Sequence, residues 1–160
     1  MRIVSEKVQL EAAEKLVSSL NKMDGVESSV DVRTNGTQNR PIVNASVSPG
    51  NWKEVAKQLK EKHLVDHCSM ITGIHWPESS DKKWEVIYHF LRTGIRDPVI
   101  EEGLVIPNIV DFSKVKGKDV PLEIQISIKI GDTRTPSVPS VQNLWAVSYT
   151  HLTLPTILRV

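Results

Sequence analysis

His63, His67, Cys68 and His75 are the residues of this sequence whose types and spacing come nearest to chemistry. Imidazole and thiolate are zinc ligands, and a cysteine beside a histidine can also act as a nucleophile with its base. The spacing argues against both uses. His63 and His67 are four apart, which would share a helix face, but the helix carrying His63 is expected to end before His67, and His75 lies across a strand. Cys68 adjoins His67 on a strand, where neighbouring side chains point to opposite faces. Lys53, Lys57, Lys60 and Lys62, interleaved with Glu54 and Glu61, read as a solvated helix face rather than a phosphate site. Neither Gly-x-Gly-x-x-Gly nor Gly-x-x-x-x-Gly-Lys-Ser/Thr occurs, so no dinucleotide or nucleotide phosphate cradle is expected.

Bulk properties narrow the function classes further. The 160 residues carry 20 Lys+Arg against 19 Asp+Glu, a formal charge of +1. That balance supplies no cationic stripe for nucleic acid, and no nucleic-acid partner is expected. At this length a chain buries roughly 70% of its unfolded surface, so the 39% hydrophobic content supports one domain without staples. The single cysteine, Cys68, can form neither an intramolecular disulfide nor a multi-cysteine cluster, which fits a reducing, cytoplasm-facing location. The N-terminus turns charged at once with Arg2, Glu6 and Lys7, unlike a secretory signal. The apolar runs are far shorter than the roughly 20 residues that span a bilayer, so any membrane role is expected to come through a partner.

The elements that would position these residues are legible from periodicity. From Ser5, a plausible N-cap, Val8, Ala12, Ala13, Leu16, Val17 and Leu20 form a helical stripe, with Gly25 as a stop. Val30 and Val32, then Ile42, Val43, Ala45 and Val47, predict two strands around a loop longer than an ideal two-residue hairpin. Ser48-Pro49 predicts a capped helix over 49–63 that buries Trp52, Val55, Ala56 and Leu59. Strands follow at about 66–76, 83–93 and 122–130. In the last, Leu122, Ile124, Ile126, Ile128 and Ile130 occupy every second position, so one face is buried and the other wet. Trp84, Val86, Tyr88 and Phe90 alternate with Glu85, Ile87, His89 and Leu91, an interior strand packed on both faces. The connection over 93–121 carries Val99, Ile100, Leu104, Val105, Ile106, Ile109, Val110 and Phe112 between glycines and prolines. Connections of this length tend to be functional or covered by a partner. The expected fold class is α+β, a mixed, mainly antiparallel sheet with helices packed on one face.

Two stretches go beyond periodicity. His67-Cys68-Ser69-Met70-Ile71-Thr72-Gly73-Ile74-His75-Trp76-Pro77, followed by Trp84-Glu85-Val86-Ile87-Tyr88-His89-Phe90-Leu91, resembles the paired strands of the C-type subunit of respiratory complex I. Thr135-Pro136-Ser137-Val138-Pro139-Ser140-Val141-Gln142-Asn143-Leu144-Trp145 is similar to the family's stretch where the final strand hands over to a helix. The resemblance spans roughly 30–146, with 1–29 as an N-terminal helix and linker. His75 stands where the family usually has an acid. The long connection over 93–121 points to a divergent branch, resembling the archaeal deazaflavin-coenzyme dehydrogenases or the membrane-bound nickel–iron hydrogenases. After Ala146 the family's Ala-x-Trp-x-Glu-Arg-Glu continuation is missing, and only Arg159 is charged over 147–160. That stretch is therefore expected to be a non-native tail on a C-terminally truncated chain.

The resemblance implies a cofactor-free accessory subunit of an NADH-quinone oxidoreductase-like, proton-translocating complex, with no active site in this chain alone. NADH or a deazaflavin donor, flavin, iron–sulfur clusters and quinone would be bound by other subunits. The implied partners are peripheral-arm subunits, especially the quinone-site (D-type) and terminal iron–sulfur (B-type) ones. The implied place is the cytoplasmic side of the cell membrane, reached through the complex. No catalytic, cofactor-binding or metal-binding residue is expected. Pro139, Ser140, Val141, Leu144 and Trp145 are the expected partner-facing residues, although for Trp145 core packing is as good a reading. A free-standing α+β module that closes its long connection over a small molecule or peptide is the alternative.

Overall fold

The computed structural model describes residues 4–94, 99–106, 115–131 and 133–145. Helix α1 (Glu6–Leu20) begins where the sequence places it. Ser5 is extended and its Oγ accepts a hydrogen bond from the Val8 amide at 3.3 Å, while Glu6 sits favourably in the positive first turn. Ala12, Ala13, Leu16 and Leu20 form its buried face. The helix stops well before Gly25, at the C-cap Asn21, whose side chain is bonded to the backbone N–H and C=O of Ser28. Gly25 serves instead in the turn into the next strand, at φ +71°. A Cβ there would overlap both Asn51 Nδ2 and Ser48 Oγ.

Strands β1 (Val26–Asn35) and β2 (Gln38–Val47) form an antiparallel hairpin. Its loop is Gly36-Thr37 alone, shorter than expected. The ladder continues through the polar pairs Arg33–Arg40 and Thr34–Asn39, which hydrophobic alternation cannot reveal. Thr34 Oγ1 donates to Asn39 Oδ1 at 3.0 Å, and Gly36 takes φ +63° at the first central position, where type II′ turns place glycine. A single 3₁₀ turn, Pro49–Asn51, leads into α2 (Trp52–Glu61), which ends two residues before His63. Ser48 does not cap a backbone amide with its side chain. Its Oγ accepts from Asn51 Nδ2 at 2.7 Å, because the Asn51 amide is already bonded to the Ser48 carbonyl at 3.1 Å.

β3 (His67–His75) and β4 (Trp84–Arg92) pair antiparallel, with a bulge at Ser69 where the register shifts between Cys68 and Met70. The connection that follows holds a small separate hairpin, β5 (Val99–Glu101) with β6 (Leu104–Ile106), before β7 (Leu122–Ile130). The main sheet has the order β1-β2-β7-β4-β3. Only the β2–β7 pair is parallel, so the sheet is mixed and mainly antiparallel, as expected.

Register explains where the core sits. Val43, Ile124, Phe90 and Cys68 lie in one cross-strand row, and Ala45, Ile126, Tyr88 and Ile71 in the next. Cross-strand partners share a face, so these rows make one apolar side of the sheet. Both helices pack on it. The four-residue stripe Trp52, Val55, Ala56 and Leu59 is fully buried, with the Trp52 ring 4.8 Å from Tyr88 and 6.1 Å from Phe90. The buried residues of α1 join the same core as the sheet, and β1 begins at Val26.

Candidate functional site

The four residues singled out for chemistry are dispersed. His63 is buried beside Ser19, its Nε2 3.3 Å from the Ser19 Oγ. His67 is exposed, Cys68 is in the core next to Phe90, and the His75 ring stacks on Trp84 at 4.1 Å. Among the described residues no three His, Cys, Asp or Glu side chains gather as metal ligands. The lysine-rich face of α2 is solvated, with Lys53, Lys57 and Lys62 exposed.

Two polar arrangements stand out instead. The first is Arg92, the last residue of β4, only 4% exposed on the helix-covered face. Its guanidinium donates to three backbone carbonyls: Nε to Val120 at 2.8 Å, Nη1 to His63 at 3.2 Å and Nη2 to Gly117 at 3.3 Å. It therefore ties the turn after α2 to the 3₁₀ turn Gly117–Asp119 at the far end of the long connection. Thr93 holds the near end by donating its N–H to Asp66 Oδ1 at 2.8 Å and its hydroxyl to Asp66 Oδ2. Burial lowers the Arg92 pKa to about 10, opposed by Asp119 and Asp66, so the group stays cationic at neutral pH. His63 is lowered to about 4, first by burial and then by Lys62, Arg92 and Lys118, so it is neutral there. Sequence reading misses Arg92, although a signal exists: position 92 is in phase with Trp84, Val86, Tyr88 and Phe90, which puts a cation in an apolar register.

The second is the other face of the sheet, which no helix among the described residues covers. Asn44, Glu85, Gln125 and Ser127 floor an open basin of about 590 Å³, with Arg33, Lys82 and Lys129 among its walls. Glu85, 7% exposed, accepts from Trp76 Nε1 at 3.1 Å and from the Ser127 hydroxyl, and Lys82 Nζ lies 4.7 Å over the Trp76 ring. With both oxygens engaged, the carboxylate fastens β4 to β7 and to the turn after β3 rather than standing free for proton transfer.

Of the expected partner-facing residues, Val141 and Trp145 are buried within the chain at 0% and 4% exposure. The Trp145 ring packs 4.6 Å from Phe90 and its Nε1 donates to the Val65 carbonyl at 3.1 Å. Leu144 is half-buried, and Pro139 and Ser140 are exposed. Residues 147–160, expected to be a non-native tail, lie outside the described residues, as do Ile109, Val110 and Phe112 of the connection.

Fold and site together define a small α+β domain whose buried polar groups hold the framework in place. Residues 45–151, about two thirds of the chain, match the family described as respiratory-chain NADH dehydrogenase, 30 Kd subunit. The chain belongs to that family, the one its paired strands and its Leu144-Trp145 stretch resemble. It is thus of the type of an oxidoreductase-complex subunit, in keeping with an electron-transport role for the family. No curated protein matches it in sequence. Among solved structures it is similar to one described as Nqo5 of the trypsin-resistant fragment (1-134), at 13% identity and a TM-score of 0.50, covering 89% of this chain and 85% of that one. That likeness concerns the fold. Among the described residues no helix is long and apolar enough to cross a membrane.

Proposed function

We propose that this chain is a cofactor-free accessory subunit in the peripheral arm of a complex I-like, proton-translocating oxidoreductase, where it supports electron transfer to quinone through its neighbours. The observation that carries this reading is the family match over 45–151. The scaffold part of this reading is supported by Glu85 and Arg92, which are engaged in holding strands and turns together. NADH or a deazaflavin donor, flavin, iron–sulfur clusters and quinone then belong to other subunits. Its neighbours in this reading are the quinone-site and terminal iron–sulfur subunits, on the cytoplasmic side of the membrane, and Pro139, Ser140 and the exposed edge of Leu144 face one of them. The purified chain alone is expected to show no flavin or iron–sulfur absorbance and no NADH oxidation. A stoichiometric bound cofactor, or turnover by the pure chain, would overturn the cofactor-free reading.

A further inference from the structure

The β5–β6 hairpin is the part of the described chain that elementary packing explains least. Ile100, Leu104 and Val105 are 72%, 68% and 65% exposed. Ile100 pairs with Val105 on one face, while Leu104 pairs with Glu101 on the other, so both faces of the small ribbon carry bare aliphatic side chains. A two-stranded hairpin of three residues a side has little stability of its own in water. Its turn is nevertheless sharply defined. Glu102 and Gly103 are the two loop residues, at φ +50° and +76°, the paired positive values of a type I′ turn. Asn, Asp or Gly suits the first of these positions, and glutamate in the left-handed region is strained. The chain thus keeps an acid at the tip where a neutral asparagine would hold the same turn with less strain.

We infer that this hairpin is a docking blade that enters an apolar slot, rimmed by Lys or Arg, on a neighbouring subunit of the complex. The inference rests on the subunit reading above. Aliphatic groups on both faces fit a slot better than a flat surface, which would cover one face only. The acidic pair Glu101 and Glu102 at the tip selects a basic rim. Three aliphatic side chains fall far short of the roughly 800 Å² per partner of a self-sufficient interface, so the blade adds to a larger contact area and does not build a homodimer by itself. Arg92 and Asp66 hold the two described ends of the connection that bears the blade, at Thr93 and at 117–120.

The test uses the tagged full chain expressed with its complex, and mass spectrometry to count the other subunits of the complex recovered per chain. Ile100→Asp/Val105→Asp is expected to lower recovery at least about tenfold, while the melting temperature of the isolated variant stays that of the parent. Glu102→Asn relieves the strained turn but removes the charge. It is expected to lower recovery about threefold without lowering the melting temperature, the opposite of what a purely structural role gives. Undiminished recovery by both variants, with the parent recovering the complex, overturns the blade and leaves the subunit reading intact. No recovery by the parent overturns both. A dimer of the isolated chain that Ile100→Asp/Val105→Asp converts to monomer would show that a second copy covers the blade, which also overturns the proposal.

Discussion

Replacing His63 with glutamine should remove a defined part of the acid sensitivity of the fold. His63 is 7% exposed, its Nε2 lies against Ser19 Oγ, and Lys62, Arg92 and Lys118 surround it. Its pKa falls from the ordinary 6.5 to about 4, because burial and these cations disfavour the imidazolium. The unfolded chain therefore takes up the proton at a higher pH than the folded one. Stability from this group is complete above about pH 6.5 and is lost progressively as pH falls from there toward 4. For these two values the linkage integral gives about 2 kcal/mol lost between pH 7.5 and pH 5, approaching about 3 kcal/mol at lower pH. Glutamine keeps a polar group near Ser19 but does not titrate. Urea unfolding of both proteins at pH 7.5 and pH 5 isolates the effect, since the carboxylates are common to both. The parent should lose about 2 kcal/mol more than His63→Gln between the two conditions. Equal losses would refute the reasoning, and a larger loss in the variant would reverse its sign.

Three further outcomes follow from the same geometry. Ile126 is fully buried between Ala45 and Tyr88, so Ile126→Asp should cost about 4 kcal/mol or more, whereas Gln125→Asp on the uncovered face should cost under about 1, and equal melting temperatures would show the strand register to be misread. Gly25→Ala should cost about 2–3 kcal/mol, through its positive φ and the Asn51–Ser48 contact that the new methyl invades, against about 1 for Gly36→Ala, where only φ is unfavourable; denaturant midpoints that rank the two the other way would contradict this. Trp145→Ala should cost about 3–5 kcal/mol as a core deletion, while Ser140→Ala should stay within about 0.5 in the same unfolding assay, and a melting temperature unmoved by Trp145→Ala would exclude its packing on Phe90.

Elements built on apolar periodicity are legible in the sequence. The stripes of α1 and α2 and the isoleucine alternation of β7 each state a burial face; the stripe of α2 is buried throughout, and the other two are buried except at Val8, Val17 and Ile130, which are half-buried. Elements closed by polar residues are not. The β1–β2 hairpin runs on through Arg33, Thr34, Asn39 and Arg40, whose pairing is held by backbone bonds that leave no hydrophobic trace. Ser48 illustrates a competition that composition cannot resolve, since the amide it would cap is already bonded to its own carbonyl. Long-range partners are also hidden: nothing local to Arg92 announces carbonyls at 63, 117 and 120, although its phase on β4 marks it as buried. The family is legible through short stretches of β3, β4 and the segment ending at Trp145, and part of that last stretch proves to be core.

A chain that serves a multi-subunit oxidoreductase as a fitted part must travel with that complex. The most direct measurement is gentle affinity purification of the tagged full chain from cells that make the whole complex, with subunits counted by mass spectrometry and iron by elemental analysis. Near-stoichiometric recovery of the quinone-site and terminal iron–sulfur subunits is expected, with the iron leaving with those subunits when the complex is dissociated. Recovery of the chain alone, or iron that stays with the isolated chain, would contradict the accessory-subunit role.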